Sequence, residues 1–277
     1  MITIDPAAFA LAYDRDHLAL RHDLANEPLL ALDAIAALAA RHPEPCVEQS
    51  VGRLPATLPG GDAPRLDLAP HEIVAGVEEH DSWLVLKNVE RDPAYGALVD
   101  DLLDGLSAAV PGGEDTRNGR EAFLFVSAAG AVTPAHVDPE HNILLQIRGT
   151  KVMHVGSFDD EPTRVRELER FYAGAHRNIE RVPQALEAVA LSPGDAVYVP
   201  PDAPHWVQNG DAASVSLSIT WRTATTDRRS TIWAANHRLR ARGGSPSAPG
   251  ASRLADARRL AAARLLRLRR RALADRA

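Results

Sequence analysis

The spacing of apolar positions changes twice along this chain of 277 residues. Before about residue 120 it is mostly helical. An Ala/Leu-rich stretch over 29–40 is opened by Pro28, suited to a first helical turn, and closed by Arg41-His42-Pro43. A similar helix is expected over 70–80. A third is expected over 92–109, with Asp92 placed to cap its first turn and Leu98, Leu102, Leu103 and Leu106 on one face. Between these last two, Trp83-Leu84-Val85-Leu86 reads as a strand, and the Pro/Gly-rich piece 54–64 reads as a loop.

From 121 to 222 the apolar runs become short, β-prone and broken by turns. Strands are expected at 122–127, 142–147, 151–155, 188–191, 196–199 and 214–221, with turns at Arg148-Gly149-Thr150 and Ser192-Pro193-Gly194-Asp195. Many short strands with regular turns predict an all-β sandwich or barrel. A helix over 164–173, within an insertion at 160–180, interrupts it. After Trp221 the β signal stops. Residues 230–240 read as helix, 243–252 as a Gly/Ser/Pro linker, and 253–276 as a second helix with Ala257, Ala261, Leu265 and Leu268 in an apolar stripe. The expected organisation is a mostly helical region over 1–120 packed on a β core over 121–222, followed by a helical, arginine-rich extension over 223–277.

Composition narrows the function classes. Hydrophobic residues make up 45% and charged residues 25%, as in soluble globular proteins. No apolar run approaches the roughly 20 residues that span a bilayer. The start, Met1-Ile2-Thr3-Ile4-Asp5-Pro6, is neither basic nor signal-like, so a cytoplasmic location without a membrane partner is expected. A single cysteine, Cys46, excludes an internal disulfide and any cysteine metal cluster, so a metal would need histidine and carboxylate ligands. The net charge of -6 argues against a nucleic-acid surface over the whole chain. The charge is nevertheless uneven, with nine arginines and only Asp256 and Asp275 as acids between 253 and 277. The plain reading of that amphipathic helix is packing, either onto the barrel or across a homodimer formed through the C-terminal helices.

Candidate chemistry lies in the β region. His136 and Asp138 are two apart, so on an extended chain their side chains share a face. His-x-Asp alone is weak, since about one is expected by chance in a chain of this composition. A third ligand must come from elsewhere, and His205 follows a strand and the rigid turn Pro200-Pro201. Two histidines and one carboxylate form a facial triad, which holds a metal on one side and leaves the other open. His141 and His154 read as core or surface histidines. Trp206 reads as a packing residue or a substrate platform, and His176 and Arg177 lie in the insertion.

Two segments, 133–155 and 191–221, resemble the cupin-like JmjC family of Fe(II)- and 2-oxoglutarate-dependent oxygenases. The family's Thr-Pro-x-His-x-Asp is matched by Thr133-Pro134-Ala135-His136-Val137-Asp138, its following Asn by Asn142, and its Gln-x-x-Gly-x-Lys by Gln146-Ile147-Arg148-Gly149-Thr150-Lys151. Its Leu-x-Pro-Gly-Asp turn, strand, Pro-Pro and distal histidine are matched from Leu191 to His205. On the last core strand the family often has Asn where this chain has Ser218.

The resemblance implies a double-stranded β-helix, the cupin or jelly-roll fold. It implies Fe(II) bound by His136, Asp138 and His205, with 2-oxoglutarate as cosubstrate paired with Lys151, hydrogen-bonded by Thr133, and close to Asn142 and Ser218. The implied activity is hydroxylation of an unactivated C–H bond of an amino-acid side chain in a peptide or protein, or of a small molecule. Dioxygen is consumed, and succinate and carbon dioxide are released. The alternative is a non-catalytic cupin-fold regulator that binds metal or ligand and uses its basic C-terminal helix on nucleic acid or a partner. Clustered arginines favour that reading, while the absence of interleaved aromatics or a helix-turn-helix pattern speaks against nucleic acid.

Overall fold

The computed structural model describes residues 1–274, with side chains as far as Leu266. The expected helix end at 275–276 and the side chain of Leu268 lie outside the described residues. The chain divides into two compact units. One comprises Met1–Phe158 with Asn178–Thr223, the other Asp159–Arg177 with the residues from Ala224 onward.

The first unit is a β-sandwich. Its N-terminal part runs β1 (Ile2–Thr3), α1 (Pro6–Ala12), β2 (Leu18–His22), α2 (Leu32–Ala39), β3 (Val47–Val51), α3 (Pro70–Ala75), β4 (Ser82–Lys87) and α4 (Pro93–Ser107). The core strands follow as β5 (Glu121–Ser127), β6 (Val132–His136), β7 (His141–Arg148), β8 (Lys151–Gly156), β9 (Leu186–Leu191), β10 (Asp195–Val199), β11 (His205–Asn209) and β12 (Ser214–Trp221). An eight-stranded sheet has the order β1-β2-β10-β7-β12-β5-β4-β3, and a four-stranded sheet the order β6-β11-β8-β9.

Alternation along the strands separates two cores. Ile143, Leu145, Ala196, Tyr198, Leu217 and Ile219 project from the outer face of the large sheet and pack with Phe9, Ile35, Ile73 and Leu103 of the N-terminal helices. Leu144, Val197 and Val199, one residue out of phase, pack between the sheets with Met153, Val155, Leu191 and Val207. The mainly β core with N-terminal and C-terminal helices follows the expected class.

The N-terminal region holds more strand than its apolar spacing predicts. Only β4 was anticipated there. Strands β1, β2 and β3 have weak local patterns and owe their form to pairing, β2 with β10 and β3 with β4. Two ligand-bearing strands, β6 and β11, are also unanticipated. Pro134 within β6 cannot donate to a ladder, which suits an edge strand. The expected helix over 70–80 stops at Ala75. A side chain on Gly76 would meet His80 Nε2 at 2.6 Å, and the chain turns there instead.

The second unit contains α5 (Glu161–Tyr172), α6 (Ala224–Arg240) and α7 (Arg253–Ala274). Asp160 caps α5 by accepting from the Thr163 N–H at 2.7 Å. Arg240 clasps the buried Glu169 carboxylate at 2.9 and 3.1 Å, and the Arg164 guanidinium lies 5.4 Å from the Trp233 ring centre. Arg259 ties the linker to α7 by donating to the Ser247 carbonyl at 3.1 Å. Among the described residues no helix is long and apolar enough to cross a membrane.

Candidate metal and anion site

The turn between β7 and β8 shows why Gln146, Gly149 and Lys151 go together. Gly149 has φ of 67°, and a Cβ there would come within 2.3 Å of the Ala213 carbonyl, so only glycine makes this turn without displacing β12. The Gln146 amide donates to the carbonyls of Arg148 and Gly149 at 2.6 and 3.0 Å and to Ser214 Oγ at 2.9 Å. Its own oxygen accepts from Ser216 Oγ at 2.7 Å. The turn is thereby pinned from inside, and β8 begins with Lys151 on the face that also carries Met153 and Val155.

Lys151 is buried, and its ammonium makes no hydrogen bond or ion pair among the described residues. Burial alone pushes its ammonium down from 10.5 to about 7. A lysine so placed carries a large desolvation cost that an anionic ligand would offset.

His136 ends β6 and His205 begins β11, and the two are paired across the strands. Their ring centres lie 4.1 Å apart. Each ring is turned by its own chain, with His136 Nδ1 bonded to the Pro134 carbonyl at 2.8 Å and His205 Nδ1 to the Ala203 carbonyl at 3.0 Å. A carbonyl only accepts, so each Nδ1 carries a proton, and in the neutral ring the lone pair is then on Nε2. Both Nε2 atoms point to Asp138 Oδ2, at 3.6 Å in each case. The three ligand atoms lie within 4.8 Å of one another, which suits a single metal ion. Fixing imidazole through Nδ1–H to a carbonyl is the usual support for a metal-binding Nε2. The two loops are joined, since the Asp202 N–H donates to the Asp138 carbonyl at 2.8 Å.

Register places the metal and anion groups in one interior. On β11, His205 pairs with Val155, Val207 with Met153, and Asn209 with Lys151. Asn209 lies four residues from His205, roughly 13 Å of strand. Thr133 pairs with Val207 on the neighbouring strand, and its Oγ1 accepts from Trp83 Nε1 at 3.0 Å. Across the sandwich, Asn142 shares the inner face of β7 with Leu144, and its Oδ1 accepts from Ser218 Oγ at 2.7 Å. The Asn142 amide nitrogen donates to no described residue, although the residue is buried. Thr133, Asn142, Lys151 and Ser218 are thus gathered around the same interior as the triad.

Several participants carry no clear sequence signal. Trp83 comes from β4, outside the two motif segments. Asn178 forms a bridge to His136, its amide donating to the Leu58 carbonyl at 2.6 Å, while the Ile179 N–H donates to the Ala135 carbonyl at 2.9 Å. These contacts close the free edge of β6. Just before β7, Glu140 accepts from Arg222 at 2.9 Å. Burial, reinforced by the nearby Asp138, raises the Glu140 carboxyl to about 7 against the pull of Arg222. A His-x-Asp-x-Glu spacing was visible in the sequence, but the partner of the glutamate was not.

Other candidates lie elsewhere. His141 projects from the outer face, stacked on Tyr13 and Trp221 and bonded through Nδ1 to the Tyr198 hydroxyl at 2.8 Å. It is a core histidine. His154 and Trp206 stack on each other at 4.1 Å on the side of their strands opposite Val155 and His205. His176 and Arg177 belong to the second unit.

Comparison with known proteins agrees with this geometry. Residues 118–228 match the family model described as JmjC domain. Jumonji C domain-containing protein 5 of Drosophila melanogaster is 31% identical over 118 residues, which are 39% of this chain and 29% of the fly protein. HSPB1-associated protein 1 of Homo sapiens is 32% identical over 115 residues, 37% of this chain and 24% of its own length. The chain therefore spans less than a third of these curated relatives. Among solved structures, the ribosomal oxygenase YcfD of Escherichia coli in complex with cobalt and 2-oxoglutarate superposes with a TM-score of 0.52 at 16% identity, covering 96% of this chain and 67% of YcfD. At that identity the likeness establishes the fold.

Proposed function

We propose that this chain, whose residues 118–228 form a JmjC-type domain, is an Fe(II)- and 2-oxoglutarate-dependent oxygenase that hydroxylates an amino-acid side chain in a peptide or protein. One observation carries the reading: the buried, uncompensated Lys151 opens onto the interior that also holds the His136, Asp138 and His205 ligand atoms. A metal site alone would not need that ammonium. A metal site that also takes a short dianion would.

Bound there, Fe(II) and 2-oxoglutarate supply oxidation of an unactivated C–H bond by dioxygen, with the cosubstrate converted to succinate and carbon dioxide. His136, Asp138 and His205 would hold the metal through three ligand atoms, a set that leaves room for further ligands. Lys151 neutralises the distal carboxylate, and Thr133 and Asn142 offer further donors to the cosubstrate. Leu144, Met153, Val155, Val197, Val199 and Val207 line the interior with apolar surface and keep bulk water out.

A macromolecular substrate is favoured because a solved protein of the same fold is titled a ribosomal oxygenase. A small molecule remains the second substrate class. A reducing compartment, the cytoplasm, would keep a ferrous ion available. A regulator that binds the same metal and anion without turnover would use Lys151 and Thr133 equally, and succinate formation separates it from the enzyme.

The test is anaerobic loading with Fe(II), addition of 2-oxoglutarate and oxygen, and measurement of succinate, alongside a search of peptide and protein pools for products heavier by one oxygen. Succinate formation by wild type and none by His136→Ala is the expected result. Equal formation by both overturns the assignment.

A further inference from the structure

Trp83 has no place in the motifs, yet it reaches the anion site. It sits on the inner face of β4, set edge-on to Phe125 with ring centres 6.1 Å apart, while its neighbours Leu84 and Leu86 belong to the outer core. From there its indole N–H crosses to the small sheet and donates to Thr133 Oγ1 at 3.0 Å.

An indole nitrogen can only donate. Thr133 Oγ1 is therefore the acceptor in this pair, and its single proton cannot point back at Trp83. The hydroxyl makes no other hydrogen bond among the described residues. Its proton is left for the interior, where Lys151 lies on the same sheet face, two strand positions beyond the pair Val207 and Met153. A hydroxyl that already accepts a hydrogen bond is also a stronger donor.

We infer that Trp83 is a positioning residue for the cosubstrate: its indole N–H turns the Thr133 hydroxyl into an obligate donor to a carboxylate held by Lys151. The inference rests on the function proposed above and deepens it. It extends the anion site to a residue upstream of the JmjC-matching segment, so that β4 contributes to recognition as well as to the sandwich. Trp83 does not touch the cosubstrate and acts only through Thr133.

The test is a double-mutant cycle read as the dissociation constant of 2-oxoglutarate for the Zn(II)-loaded protein, together with KM and kcat of the Fe(II) form. Trp83→Phe keeps an aromatic ring and removes the donor, and Thr133→Val removes the hydroxyl at nearly constant shape. Each should weaken 2-oxoglutarate binding about three- to tenfold with kcat nearly unchanged, and the double variant should be no weaker than Thr133→Val alone. Thr133→Ser, which keeps the hydroxyl, should bind close to wild type.

A second measurement leaves Trp83 intact, in case Trp83→Phe folds poorly. In the 15N-labelled Zn(II) protein, the indole resonance displaced by Thr133→Val should also be the one that moves on addition of 2-oxoglutarate. Additive effects in the cycle, or an indole resonance indifferent to 2-oxoglutarate, overturn the inference while leaving the proposed function standing. Absence of 2-oxoglutarate binding to the wild-type metal-loaded protein overturns both.

Discussion

Consecutive residues on β7 present two opposite environments. His141 faces outward into an aromatic box, stacked on Tyr13 and Trp221 with its Nδ1 bonded to Tyr198. Asn142 faces inward, takes one hydrogen bond from Ser218, and keeps its amide N–H groups for something else. The same contrast extends across the large sheet. Its outer face is packed and apolar, whereas the interior between the sheets combines a modest apolar cluster with Lys151, Thr133, Asn142 and the triad. A buried polar group with its partners supplied belongs to the fold, and a buried donor without them, set beside a metal-ligand cluster, points to a ligand.

Substitutions on the two faces should therefore separate stability from binding. The largest effect is expected for His136→Ala. Loss of one of three ligands should lower metal affinity and 2-oxoglutarate turnover by more than about 100-fold, with the melting temperature of the metal-free protein little changed. Calorimetric metal titration beside a succinate assay decides this. On the outer face, Leu217→Ala should do the reverse. It should cost about 2–5 kcal/mol in denaturant unfolding, while any protein that remains folded keeps its metal affinity.

Lys151→Met tests whether the interior is tuned for an anion. Weakening of 2-oxoglutarate binding by about 100-fold is expected from the loss of a charged partner in a buried site. The stability of the ligand-free protein should move the other way. Its folded-state value is lowered to about 7, so between that pH and the ordinary 10.5 the unfolded chain holds a proton that the folded protein has released. Stability of the wild type should accordingly rise with pH across this window, by up to about 1.4 kcal/mol per unit. The methionine variant should lack that slope and be the more stable protein near pH 7. Urea unfolding at several pH values measures both. A wild-type slope of opposite sign would remove the case for an uncompensated lysine.

The smallest and most discriminating pair is the adjacent one. His141→Phe should cost about 1–2 kcal/mol of stability through the lost bond to Tyr198 and leave 2-oxoglutarate binding unchanged. Asn142→Ala should weaken that binding about three- to tenfold. If both variants changed binding equally, the division between the two faces would be wrong.

Much of this arrangement is legible in one dimension. Short β-prone runs from 121 to 222, the helices about Pro93 and Glu161, and the spacing of Thr133, His136, Asp138, Asn142 and Lys151 are local patterns that survive without coordinates. Strands β2, β3, β6 and β11 do not. Their residues are poor strand formers in isolation, or contain proline, and become strands because a neighbour supplies the hydrogen bonds. The groups that turn the site's residues are equally non-local. Trp83 lies 50 positions from Thr133, and Ser218 lies 76 from Asn142.

What the sequence by itself determined is the set of chemical groups and the β architecture that carries them, because ligand type, turn glycine and strand period are properties of short segments. Which way each group faces was decided only by the tertiary structure. Whether a histidine is a ligand or a core residue, and whether a lysine has a counter-charge, depends on which distant strands pack against it. That is why His136 and His141, alike as residues and five positions apart, end in different surroundings, one in the interior between the sheets and the other on the outer face of the large sheet.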